Sequence, residues 1–193
     1  MRLAILDNGH RFRTKVLFGI IRAMSSLPVP DAVKLNRYRP DFYGLPMRVV
    51  AQKAMRGPSA WSVGDRELMG ACVSQVNECN VCTKTHAGVA ALAYLDDAKV
   101  SAVLADLETA PIDEPLRATI RMLRKLTREH AVDADDMRSV LAAGVSREQI
   151  DDAVAVCFVF NTVDRMSRTF GWVVSGPRAF EAGSRFLFAR GYL

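Results

Sequence analysis

RELMGACVSQVNECNVCTKTH, residues 66–86, reads as two helical segments meeting at a short break around Glu78. Ser62 and Asp65 carry an N-cap signal, which predicts a helix over residues 63–77. The chain breaks near residues 78–80, and a second helix is predicted over residues 81–95. If the two fold back as an antiparallel hairpin, Glu67 lies 11 residues before the turn and His86 lies 8 after it. At about 1.5 Å per residue their levels differ by roughly 5 Å, or one turn, so a carboxylate–imidazole contact, direct or through a water, is feasible.

The rest of the chain extends this helical pattern, and no segment reads as a strand. Helices are expected over residues 13–25, before a break at Pro28 and Pro30, and over 40–56, where Gly44 and Pro46 make the first half irregular. Asp96 and Asp97 open a helix through residue 107, and residues 116–130 form a long amphipathic segment. Asp133 caps a helix that stops near Gly144. Ser146 and Gln149 form a capping box for a helix over 147–170, whose stretch 154–160 is apolar all round and is therefore expected to be central. The tail 177–193 is expected to form a final helix that docks on a neighbour. The class is all-α, one domain over residues 1–193.

Composition narrows the options. With 193 residues, 50% of them hydrophobic, the chain can bury a core without disulfide staples. Four cysteines (Cys72, Cys79, Cys82, Cys157) do not make a secreted disulfide scaffold, and a reducing cytoplasm fits them better. No secretory signal is visible, and the apolar run 16–27 contains Arg22 and is shorter than the roughly 20 residues a bilayer requires. The net charge of +5 is scattered rather than striped, which argues against nucleic-acid binding.

The chemistry gathers at C-x2-C-x3-H, formed by Cys79, Cys82 and His86. The two thiols can close a small disulfide ring, and the imidazole four residues after Cys82 lies on the same helical face. An unshifted cysteine is only about 3% thiolate at neutral pH. A helix N-terminus contributes about 0.3–1 kcal/mol towards a thiolate, less than one pKa unit, so a base is needed. His86 is the local candidate for that base, Cys82 for the nucleophile, Cys79 for the resolving thiol and Glu67 for the group orienting the imidazole. A structural zinc site needs four ligands, and the fourth would have to come from Cys72, His10 or His130. No metal or organic cofactor is expected.

Other residues receive plainer readings. Cys157 and Cys72 are expected as buried small hydrophobes. Asn161 and Arg165, one turn apart, are expected in a helix-to-helix hydrogen bond or an ion pair with Asp164. His130 suits a helix C-terminus, while His10 looks exposed. Trp61 and Trp172 read as core or interface anchors. The N-terminal helix presents Phe12, Val16, Leu17, Ile20 and Ile21 as one apolar face, for packing on the fold or on a partner subunit.

At these residues the chain resembles the alkyl hydroperoxidase D and carboxymuconolactone decarboxylase family. The shared pattern is a Glu twelve residues before C-x2-C, then x3-H, and it falls on Glu67, Cys79, Cys82 and His86. AAGVSREQIDDAVAVCFVFNTVDR, residues 142–165, is also similar, and the resemblance covers about residues 40–175. It implies an all-helical fold assembled as a homo-oligomer of two, three or six subunits, with the thiol site near subunit contacts. It also implies reduction of hydrogen or organic hydroperoxides, in which Cys82 attacks, Cys79 closes the disulfide, and Glu67 and His86 relay the proton. A thiol or dithiol reductant, such as a lipoyl-type adaptor, would restore the pair. The family enzyme proper carries a further His between its cysteines, where this chain has Asn80 and Val81. A redox-sensing or zinc-binding module, and an acid–base enzyme using His86 and Glu67, stand as alternatives.

Overall fold

The computed structural model describes residues 2–174 and 176–193, and among these every regular element is helical. Three helices, α1 (Ile5–Asn8), α2 (Phe12–Ser25) and α3 (Asp31–Tyr38), precede a π-type turn over Pro40–Gly44 that runs into α4 (Leu45–Arg56). α5 (Val63–Val76) and α6 (Asn80–Tyr94) follow, then α7 (Asp97–Ala105), α8 (Glu114–Glu129), α9 (Ala134–Ala142), α10 (Arg147–Phe170) and α11 (Pro177–Arg190).

Local chemistry sets many of the boundaries. Ser62 accepts the Asp65 amide while the Asp65 carboxylate accepts the Ser62 amide, and reciprocal boxes of the same kind open α9 (Asp133, Asp136) and α10 (Ser146, Gln149). α5 is the hub. Every residue from Arg66 to Ser74 is buried, because α6 covers one side while α8 and α10 cover the others. α8 contributes the stripe Leu116, Ile120 and Leu123, and α10 contributes Ala153, Val156 and Phe160.

Two expectations change, and two open alternatives are narrowed. Residues 31–38 form a helix that Pro28 and Pro30 had concealed, and Leu35 joins Leu6 and Trp172 in a second apolar cluster at the end of α10. His10 is buried rather than exposed, its Nε2 lying 2.8 Å from the Leu6 carbonyl and its ring edge-on to Phe18 and Tyr38. α2 buries Phe18, half-buries Leu17 and Ile21 and leaves Phe12, Val16 and Ile20 exposed, so only part of its apolar face packs within the chain. The tail helix α11 docks on α6 of its own chain, with Ser184 Oγ donating to the Thr85 carbonyl at 2.9 Å.

Close approach of α5 to α10 depends on Gly70, where an added Cβ would lie 2.3 Å from the Phe160 ring. Phe160 is fully enclosed and cannot move aside. Overpacking of about 1–3 kcal/mol therefore outweighs the gain of about 1 kcal/mol in helix propensity. Gly70→Ala is expected to lower stability by up to about 2 kcal/mol, read as an earlier urea midpoint at unchanged m-value.

Candidate active site

The hairpin turn delivers the thiols. Glu78 takes φ +54°, the left-handed region that favours glycine, and the Cys79 amide then reaches back to the Ser74 carbonyl at 2.9 Å. Arg168 on α10 pins this turn, donating to the Asn77 carbonyl at 2.7 Å and pairing with Glu78 at 3.3 Å. Cys79 consequently occupies the N-cap of α6 and Cys82 its first turn, with their sulfurs 2.9 Å apart. Both are free thiols and both are buried.

The expected carboxylate–imidazole contact is direct. Glu67, with no exposed surface, accepts from His86 Nδ1 at 2.7 Å through Oε2. Its Oε1 is held by Arg56 Nη1 at 2.7 Å and by the Tyr192 hydroxyl at 3.0 Å. Burial alone would push Glu67 up, but the charge and hydrogen bond of His86, with those of Arg56, outweigh it and hold the carboxyl below the usual range. The Phe160 ring meets the imidazole edge-to-face at 4.5 Å. Among the described residues no hydrogen bond joins His86 to either sulfur, while Glu67 holds the Nδ1 side of the ring.

A second carboxyl, Asp164 of α10, faces the thiols, so the ion pair offered as one of two roles for Arg165 is not the one taken. The Asp164 oxygens accept from Ser74 Oγ at 3.0 Å and Asn77 Nδ2 at 2.9 Å. One oxygen and the two sulfurs all lie within 4.8 Å of one another. Burial pushes Asp164 up, against hydrogen bonds from Asn77, Cys82 and Ser74. Among the described residues these three groups are the set able to hold a metal, and Cys72, His10 and His130 do not join them. Arg165 donates to the Asn161 carbonyl, and Asn161 bonds Asn77, Thr127 and Cys157, a helix-to-helix role as expected.

The thiols divide their roles electrostatically. The hydrogen bond from Cys82 brings Cys79 down to about 7 against burial, with the Ser167 hydroxyl assisting. Cys82 is driven well above its ordinary value by its bond to Cys79, by burial and by Asp164. One negative charge thus forms first on the pair, on the Cys79 side of the shared hydrogen bond. Tyr192, Arg56 and Asp164 were all missed in the sequence. They reach the site from distant segments, and no local spacing marks them.

A buried dithiol at a helical hairpin, backed by a hydrogen-bonded Glu–His couple, defines the class of centre. The fold is that of the alkylhydroperoxidase AhpD core. An uncharacterized peroxidase-related protein from Silicibacter sp. TM1040 superposes with TM-score 0.75 at 20% identity, covering 89% of this chain and 90% of that one. The AhpD-core peroxidase-related protein from Ralstonia eutropha JMP134 gives TM-score 0.75 at 19% identity, over 95% and 96% of the two chains. The debrominase Bmp8 is similar at TM-score 0.70 and 13% identity, over 90% and 91%. No protein-family model and no curated protein matches the sequence. Among the described residues no helix is long and apolar enough to cross a membrane.

The charge assignment predicts a pH profile. Below pH 7 Cys79 is protonated and unreactive; above it the thiolate forms. Alkylation by a small iodoacetamide reagent should therefore follow a midpoint near 7, with the first adduct mapped to Cys79 by peptide mass. A midpoint near the ordinary cysteine value, or a first adduct on Cys82, would reverse the assignment.

Proposed function

We propose that this protein is a dithiol peroxidase that reduces hydrogen and organic hydroperoxides through a Cys79–Cys82 disulfide cycle. The observation carrying this reading is the 2.9 Å contact between two buried free sulfurs, next to a carboxylate–imidazole couple. In the resting pair Cys79 is the thiolate and Cys82 the thiol. The Cys82 proton first passes to Cys79 across their 2.9 Å contact, and the Cys82 thiolate so formed attacks the terminal peroxide oxygen, the S–O bond forming as the O–O bond breaks. The departing alkoxide takes the proton that Cys79 gave up on ionising, returned through His86, whose Nδ1 stays bonded to Glu67. Cys79 then attacks the sulfenic sulfur, closing the disulfide and releasing water. Two thiols and one hydroperoxide become a disulfide, an alcohol and water, and an external thiol or dithiol, such as a lipoyl-type adaptor, restores the pair.

The likeness to proteins described as peroxidase-related supports the choice of substrate. The neighbour described as a debrominase supports a wider reading, in which the same two electrons reach another electrophile. Exposed Phe12, Met24 and Phe42 support assembly as a homo-oligomer, and the cysteine usage supports a reducing cytoplasm.

The test is peroxide consumption with dithiothreitol or dihydrolipoamide as reductant. Wild type should turn over and lose two hydrogens by mass when treated with one equivalent of peroxide. Cys82→Ser should be inactive, Cys79→Ser should stop at a trappable sulfenic acid, and Glu67→Gln should slow the reaction by about 10²-fold or more. Equal rates in wild type and Cys82→Ser end the reading.

A further inference from the structure

We propose that Tyr192 is a positioning residue of the proton relay, its phenol holding Glu67 as the anion and His86 in the form that carries hydrogen on Nδ1. The inference deepens the peroxidase reading and rests on it for the purpose of the relay, though not for the geometry. Three polar contacts carry it. Tyr192 Oη lies 3.0 Å from Glu67 Oε1 and 3.3 Å from His86 Nδ1, while Nδ1 lies 2.7 Å from Glu67 Oε2.

An ionised carboxylate only accepts, so its three neighbours, Arg56, Tyr192 and His86, must all donate. The phenol hydrogen is therefore directed at Oε1, and the imidazole hydrogen sits on Nδ1, facing Oε2. The lone pairs of the phenol oxygen then face the Nδ1 hydrogen. If the ring moved its hydrogen to Nε2, Nδ1 would present a lone pair to Glu67 Oε2 at 2.7 Å and to a phenol already committed elsewhere. Both contacts disfavour that tautomer. Nε2 is left with the free lone pair and can take and return a proton. Burial and the Glu67 charge keep the phenol protonated, so it remains a donor.

The phenol is held from several sides. Arg56 lies over the Tyr192 ring at 5.3 Å from its centroid and donates to the Leu187 carbonyl at 3.2 Å. The Tyr192 amide donates to Gln52 Oε1 at 2.7 Å, and its carbonyl accepts from Arg48 Nε at 2.9 Å. Gly191 makes the turn that admits these contacts. Its φ is +67°, and a Cβ there would lie 2.6 Å from the same Gln52 oxygen. Three residues of α4 thus hold a residue beyond α11 against the carboxylate of α5. Around Glu67 and Tyr192 the ionisable groups are Arg56 from α4, Arg66 from α5, His86 and Cys82 from α6, and Asp164 from α10. Among the described residues only Arg56 and Tyr192 bond Glu67 Oε1.

The signs follow. Removing the phenol hydrogen bond takes away stabilisation of the Glu67 anion, so its carboxyl titrates at higher pH and the acid limb of any relay-dependent rate moves upward. Tyr192→Phe keeps the ring under Arg56 and removes only the hydroxyl. In the full chain it should lower the peroxide rate at neutral pH by about tenfold and shift the acid limb to higher pH. It should also change the ¹⁵N–¹H pattern of the His86 ring, adding the Nε2-protonated form to a wild-type spectrum that shows Nδ1–H alone. Gly191→Ala, which keeps the phenol but displaces it, should move the same two readouts in the same direction. This second variant decides the matter if Tyr192→Phe fails to fold. A purely structural Tyr192 would lower stability and leave the acid limb and ring spectrum as in wild type, and that result overturns the proposal. The ring spectrum needs no turnover, so a wild type that leaves peroxide untouched would sink the peroxidase reading while the Tyr192 comparison still decides its own question.

Discussion

A carboxylate with no exposure to water is tolerated only when each oxygen is bonded and its charge is matched. Glu67 meets that condition with Arg56, His86 and Tyr192, which come from α4, α6 and the residue pair following α11. Satisfying one charge therefore fixes four segments relative to one another. Withdrawing a partner from such a group costs about 3–5 kcal/mol, a sizeable part of the stability of a domain this long. The packing of the hairpin and the organisation of the site are consequences of the same contact.

Two buried acids of the site are shifted in opposite directions by their surroundings. Glu67 faces a guanidinium, an imidazole and a phenol, and is held low; Asp164 faces a hydroxyl, an amide and two thiols, and burial pushes it up. The environment alone moves the two carboxyls of one site apart. The dithiol shows the same division on a smaller scale, with Cys79 lowered and Cys82 raised by a single shared hydrogen bond.

What could be read from sequence alone was whatever has a short-range code. The caps at Ser62, Asp133 and Ser146 each act over three residues, and the helices they open start where the spacing places them. Hairpin register sufficed to bring Glu67 to His86, since both are counted from one turn. Tyr192 lies 106 residues from His86 and Asp164 lies 90 from Ser74, so no periodicity connects them to the site. α3 escaped because its prolines precede the helix, at positions where they start one rather than break it. His10 and the α2 face follow from tertiary contacts, or their lack, that composition does not carry.

The same three atoms could serve a metal or a disulfide, and their spacing separates the two uses. A tetrahedral zinc with bonds of about 2.3 Å holds its two sulfurs about 3.8 Å apart. Here the sulfurs stand 2.9 Å apart, closer than a shared metal would hold them and on the way to a covalent bond. Asp164 is also bonded at both oxygens, to Ser74 and Asn77, so ligation would require it to give up part of a satisfied arrangement. A metal would have to spread the thiols and disturb that carboxyl, whereas oxidation needs only a further approach of sulfurs already in contact. The spacing therefore favours two-electron thiol chemistry over a resident ion.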